Sequence, residues 1–266
     1  MKTDYHIHSH YSADSETTME EMVQKGISLG LTTMCFTEHQ DYDYPGETPF
    51  LLDTDAYLRE FELMKVKYSS QIELLFGLEL GLQTHLAKRL QDYVDRYPFD
   101  FIIGSSHLVN GQDPCHPTFF EGRDEGACYM EYFHSIVENL KGFTNFSVYG
   151  HIDYVIRYGP NKNKYYSYKK YSDVIDKILS MIIEKELGLE LNTAGFKYGL
   201  GHPHPHEDVL KRYKELGGEI ITVGSDGHQP GHLAYDFRLA DEILKHCGFG
   251  YYTVFRDRKP EFIRLS

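Results

Sequence analysis

Seven times along this chain a short apolar or β-branched run gives way to a helix-length stretch, and most of those runs finish on a residue able to bind a metal. The runs lie at residues 3–8, 33–37, 73–79, 101–106, 147–151, 188–192 and 220–225. Helix-like stretches follow at 19–30, 55–70, 84–97, 125–141, 167–186, 207–216 and 237–247. Strand-then-helix repetition predicts parallel strands joined by right-handed crossovers. Seven units are too many for half of a dinucleotide-binding sheet, and no G-x-G-x-x-G follows a strand. The reading is therefore an α/β fold, a closed or distorted (β/α)7 TIM-like barrel, with residues 251–255 as a late strand. Thr17 or Thr18 with Glu20 or Glu21 three residues on forms a capping box for the first helix. Gly30 suits the left-handed residue after it. No Pro/Gly/Ser-rich linker or low-complexity tract interrupts the pattern, so residues 1–266 read as a single barrel domain.

In such barrels functional side chains come from the C-terminal ends of several strands. His6 and His8 alternate on the first strand and so point to one side of it. A barrel interior normally takes Val, Ile or Leu, and two buried imidazoles require compensation. Metal ligation supplies it. Further ligand types close later strands: His39 in T-E-H, Glu79 in G-L-E, His107 in S-S-H, His151 in G-H, and Asp226 with His228 in S-D-G-H. Imidazole and carboxylate together suit Zn, Fe or Mn, and the absence of thiolates argues against a structural cysteine-type zinc site.

The bulk numbers narrow the function. A net charge of −13 argues against a nucleic-acid-coating protein. Cys35, Cys115, Cys128 and Cys247 show no C-x-x-C spacing and fit neither a zinc ribbon nor a disulfide scaffold. The N-terminus lacks the apolar core of a signal peptide, and no stretch approaches the ~20 apolar residues of a membrane span. The expectation is a reducing, cytoplasmic setting with no membrane and no nucleic-acid partner.

The motifs D-Y-H-I-H-S-H-Y-S-A-D at 4–14, E-H at 38–39, G-L-E at 77–79, S-S-H at 105–107, G-H-I-D at 150–153 and S-D-G-H at 225–228 occur in this order across nearly the whole chain. Together they resemble the polymerase and histidinol phosphatase (PHP) superfamily. The opening H-S-H-Y-S-A-D-S and the L-E-L-N-T at 189–193 look most like its histidinol-phosphatase branch. That resemblance implies a distorted seven-stranded barrel with three divalent metal ions. It also implies the ligand sets: His6, His8, Glu79 and Asp226 for one metal; Glu79, His107 and His151 for a second, with Glu79 bridging; Asp14, His39 and His228 for the third. Other members carry His where this chain has Asp14, and the metals are open among Zn, Fe and Mn.

The activity implied is hydrolysis of a small-molecule phosphate monoester, L-histidinol phosphate, to L-histidinol and phosphate in histidine biosynthesis. Clustered metals lower the pKa of bound water toward ~7 and clamp phosphoryl oxygens, giving a hydroxide for in-line attack. Asp14, Glu79 and Asp226 are the catalytic carboxylates on this reading, with Asp14 among the groups able to protonate the leaving alkoxide. A planar guanidinium fork matches phosphate, which makes Arg157 the first clamp residue and Arg123 the second. Asn192 at the sixth strand end and His202 in H-P-H-P-H are further substrate-facing candidates. His10, His85 and Asp153 are weaker, and His116, His134, His232 and His246 read as surface or structural. Tyrosine-rich 165–171 reads as a packed connection near the mouth. Two other readings compete: a related phosphoesterase acting on protein phosphotyrosine or nucleic-acid ends, and a metal-holding regulatory module without turnover.

Overall fold

A computed structural model describes residues 1–265. Seven parallel strands follow one another around a single sheet in the order β1 to β7: Thr3–Ile7, Thr33–Gln40, Glu73–Gly81, Phe101–Ser105, Val148–Tyr149, Gly188–Asn192 and Ile221–Gly224. The sheet closes on itself through a narrow seam between β1 and β7. There, Ile7 and Gly227 form an isolated parallel bridge. The His8 N–H donates to Gly227 O at 2.9 Å, and the Gly227 N–H donates to His6 O at 3.2 Å. β5 is only two residues long, shorter than the five-residue run at 147–151 predicts. Its flanking residues extend the contact: Ser147 N–H donates to Ile102 O, Gly188 N–H to Ser147 O, and Gly150 N–H to Gly104 O. A ladder this short at one strand and a seam this thin at another are what distort the barrel.

Among the described residues the eight α-helices are α1 (Met19–Ser28), α2 (Thr54–Tyr68), α3 (Ala87–Val94), α4 (Glu125–Gly142), α5 (Ser172–Glu184), α6 (Ala194–Lys197), α7 (Glu207–Glu215) and α8 (Phe237–His246). Thr18 caps α1 in a complete capping box with Glu21, and Gly30 follows at φ +76°, as the sequence predicts. The stretch 84–97 splits into a 3-10 turn and α3, and 165–171 packs as 3-10 turns with Tyr166 and Tyr171 buried.

The late strand pairs with one the sequence pattern does not reveal. β8 (Tyr251–Arg256) and β9 (Lys259–Arg264) form an antiparallel hairpin outside the barrel sheet. It covers the end where the barrel strands begin. Thr253 Oγ1 accepts from the Ile221 N–H, the Arg258 N–H donates to Asp100 O, and Arg256 pairs with Glu73. Tyr5, Phe101 and Phe255 pack together there. Plugging one end with aromatic rings leaves the C-terminal mouth as the open face.

Candidate metal centre

Glu79 stands at the centre of the mouth, near the end of β3 and 0 % exposed. Its two oxygens face different ligand groups. Oε1 lies 3.1 Å from His107 Nε2 and 2.9 Å from His151 Nε2. Oε2 lies 3.0 Å from His6 Nε2 and 3.4 Å from His8 Nε2, with His39 Nδ1 at 3.2 Å. Asp226 Oδ1 completes this second group at 3.9 Å from His6 Nε2 and 3.7 Å from His8 Nε2. A third set gathers at the rim, where Asp14 Oδ2 lies 3.1 Å from His228 Nε2 and 3.7 Å from His39 Nε2. The rings of His8 and His228 stack at 4.1 Å, and those of His8 and His39 at 4.3 Å. Every ligand type expected at a strand end is in this cluster.

A layer of side chains beneath the cluster fixes these rings. His6 Nδ1 is 2.6 Å from Glu190 Oε1, and Glu190 Oε2 accepts from the His151 N–H at 3.0 Å. His107 Nδ1 is 2.7 Å from Asp41 Oδ1. His8 Nδ1 is 3.0 Å from Ser12 Oγ, which donates to Glu38. Ser105 Oγ donates to Glu79 Oε1 at 2.7 Å. Carboxylates behind imidazoles set the tautomer and raise ligand basicity. Glycines let the strands come this close: a Cβ at Gly224 would stand 2.3 Å from His6 Cβ and 2.7 Å from Glu190 Oε1.

Burial would lower His6, His107 and His39, but Glu190 and Glu79 raise His6 well above the ordinary imidazole range, Asp41 and Glu79 do the same for His107, and Glu79 and Asp14 raise His39 to about 9. Burial would raise the Glu79 carboxyl, but His6, His39 and His107 together hold it well below the carboxylate range. Burial would likewise raise Asp226, and His6, His228, Lys197 and Arg157 hold it well below. Burial, reinforced by His228 and His39, pushes His8 far down and keeps its ring neutral. His8 Nε2 and His228 Nε2 are buried with no hydrogen-bond partner. An unmet buried polar atom costs about 1–3 kcal/mol. The neutral His8 ring and the unpartnered His228 nitrogen, beside ionised carboxylates, fit a divalent cation. The cluster has the donor chemistry to hold divalent metal.

Above it opens a cavity of about 380 Å³ lined by both charge signs and by aromatic rings. Arg157 is buried against Tyr154, Tyr158 and Tyr198, with ring centroids 4.3, 4.9 and 4.3 Å from its guanidinium carbon. Its Nη1 lies 3.6 Å from Asp226 Oδ2, yet Nε and Nη1 have no hydrogen-bond acceptor. Lys197 Nζ donates to Asp226 O at 3.0 Å and sits 3.3 Å from His232 Nδ1. Burial first, then Lys197 and His228, lowers His232 to about 4.

Other expectations fall elsewhere. Arg123 does not line this cavity; it pairs with Glu131 and stacks over Phe119. His202 turns Nδ1 to Pro203 O at 2.7 Å and is also absent from the lining. Asn192 is buried behind His6, bonded to Glu190 and the Ala194 N–H, and so braces the cluster from below. Asp153 pairs with His204 and accepts from the His206 N–H, so it orders the H-P-H-P-H loop and leaves His151 to Glu190. His85 pairs with Asp43 on the surface, and His10 approaches Glu60. Missed by the sequence reading are Asp41, Glu190, Lys197 and the cavity-lining His232. The alternation of Glu190 and Asn192 on β6, opposite two ligand strands, is the one signal that pointed to the supporting layer.

The barrel and its mouth define a class, a metal-binding (β/α)7 barrel with carboxylate-bridged histidines. The chain belongs to the PHP family: the PHP domain model matches residues 4–194. It is 32 % identical to the histidinol-phosphatase of Lactococcus lactis subsp. lactis over 259 residues, 97 % of this chain and 96 % of that protein. A Clostridium acetobutylicum protein named "Probable histidinol-phosphatase" is 32 % identical over 93 % of this chain and 94 % of its own length. In three dimensions the chain superimposes on the crystal structure of the L. lactis histidinol phosphate phosphatase complexed with Zn, L-histidinol and phosphate. That match has a TM-score of 0.92 at 31 % identity and covers 98 % of both chains.

Proposed function

We propose that this protein is a metal-dependent phosphomonoesterase that hydrolyses L-histidinol phosphate to L-histidinol and phosphate in histidine biosynthesis. The observation that carries it is the set of donors converging on both oxygens of one buried carboxylate, Glu79, beneath a cavity with an unpaired guanidinium. The near-full-length likeness to the L. lactis enzyme supports the choice of substrate.

Three divalent ions, Zn, Fe or Mn, fit the donor sets: His6, His8, Glu79 and Asp226; Glu79, His107 and His151; Asp14, His39 and His228. Such ions, when bound, activate water and neutralise phosphoryl oxygens. The chain's own residues do the rest. Glu79 spaces two sets through its two oxygens. Arg157 turns free N–H groups to the cavity, and its planar fork matches phosphate oxygens. Lys197 adds a second positive charge on the same side. Burial would raise Asp14, but His39 and His228 hold it ionised, which suits a ligand better than a proton donor.

The test is phosphate release from histidinol phosphate by chelated protein before and after reloading with Zn, Fe or Mn. Activity lost on chelation and restored by metal supports the reading; full activity in metal-free protein overturns it.

A further inference from the structure

Five carboxylates line the cavity, and four of them are engaged by imidazoles: Asp14 by His228, Asp41 by His107, Glu79 by His6, His107 and His151, and Asp226 by His6, His8 and His228. Asp113 is the fifth. It is 5 % exposed and, among the described residues, forms no ion pair with a histidine, lysine or arginine. Its partners are neutral: the Tyr44 hydroxyl donates to Oδ2 at 2.9 Å and the Cys115 N–H to Oδ1 at 2.7 Å. A carboxylate accepts about four hydrogen bonds, so this one keeps free lone pairs after being fixed in place. Tyr44 packs against Phe50 at 4.5 Å, and Phe50 meets His39 of the cluster edge-on at 5.6 Å. An aromatic wall thus runs from the metal ligands to Asp113. Arg157 and Lys197, the cavity's cations, each lie beside Asp226.

A buried, rigidly held carboxylate without a cationic partner calls for a cation from the ligand. We propose that Asp113 is the residue that selects the substrate's alcohol portion, by binding its primary ammonium group while the phosphate occupies the metal and Arg157 side. The ammonium is predominantly charged near neutral pH, whereas an imidazole is largely neutral there. The cavity then reads a zwitterion, a phosphate monoester with an amine on its alcohol chain. This rests on the histidinol-phosphate reading above.

The test compares kcat/KM for histidinol phosphate with that for its des-amino analogue in the metal-loaded full chain. The wild-type protein is expected to favour the amine by about 100-fold, the scale of losing one hydrogen bond to a charged group. In Asp113→Asn and in Asp113→Ser the preference collapses to a few-fold, chiefly through KM. L-Histidinol binding, read by calorimetry, weakens by about 30-fold or more, as expected when a charge-assisted bond is lost. General structural damage would lower both substrates together and leave their ratio intact. A wild-type protein with no amine preference, or either variant keeping the wild-type ratio, overturns the role of Asp113. A wild-type protein that turns over para-nitrophenyl phosphate but not histidinol phosphate instead overturns the functional reading on which it rests.

Discussion

Glu190 takes His6 Nδ1 on one oxygen and the His151 N–H on the other, so one buried carboxylate positions ligands from β1 and β5 at once. Replacing it by Gln keeps the shape and removes the charge that orients His6. Outer carboxylates of this kind are worth about 10–100-fold in metal affinity. Glu190→Gln is therefore expected to weaken metal binding by that factor in a competition titration against a chromophoric chelator; an unchanged affinity would remove Glu190 from the supporting layer. Glu79→Ala strips both ligand groups of the carboxylate they share, one oxygen each. It should lower kcat by about 10³-fold or more, the scale of losing a principal electrostatic contact, with metal content falling in parallel by elemental analysis. At this scale the sequence spoke unevenly. The ligands were legible because an imidazole or carboxylate closing an apolar run has no bland explanation when the pattern repeats. Glu190, inside G-L-E-L-N, and Asp41, one position beyond β2, resemble ordinary strand alternation and loop polarity. Only the closed barrel brings them beneath rings 184 and 66 residues away in sequence.

The elements that aim these side chains also set where the fold is fragile. β1 and β7 meet through one bridge, and at Gly224 an added side chain would run into His6. Gly224→Ala drives a methyl group into His6 Cβ and should destabilise the fold by about 1–3 kcal/mol, the usual cost of overpacking, measured by denaturant unfolding. On the opposite end, Arg256 reaches Glu73 with two nitrogens, at 2.7 and 2.6 Å, and ties the β8–β9 hairpin to the start of β3. The Arg256 hydrogen bond is the main cause holding Glu73 below its ordinary range. A depressed carboxylate adds stability above its unfolded pKa of about 4.3 and loses it as pH falls through the folded value. Arg256→Ala should thus cost up to about 1 kcal/mol near pH 7, and the difference from wild type should shrink below pH ~4. A pH-independent difference would assign the effect to packing. Strand positions were readable from apolar runs, with two exceptions. β5 keeps only Val148 and Tyr149 in the ladder, although its run spans five residues. β9 is exposed throughout and carries Pro260, so neither hydrophobicity nor propensity marks it, although proline is tolerated on an edge strand.

Across the whole molecule, the hairpin plugs one end of the barrel and the ionisable cluster occupies the other, with the apolar core between them. Gathering six imidazoles and three carboxylates in one mouth is stable only when their charges and lone pairs are matched, so folding and metal loading are linked. Chelation should lower the melting temperature by several degrees, and readdition of Zn, Fe or Mn should restore it; an unaltered melting curve would mean the cluster is self-satisfied. Barrel class and metal chemistry could be read in the order of the strand-end residues. The cavity's division into a cationic side and an aromatic, acidic side could not, because Tyr44, Phe50 and Asp113 come from connections, and Lys197 from the short α6, whose placement only the closed fold defines. The central claim is that this mouth hydrolyses one particular phosphate monoester. It is tested most directly by phosphate release from a panel of monoesters, including histidinol phosphate, phosphotyrosine and nucleotide ends, by metal-loaded protein. The expected result is a kcat/KM for histidinol phosphate at least about 100-fold above every other member. Comparable rates across the panel, or no release with any metal, would contradict it.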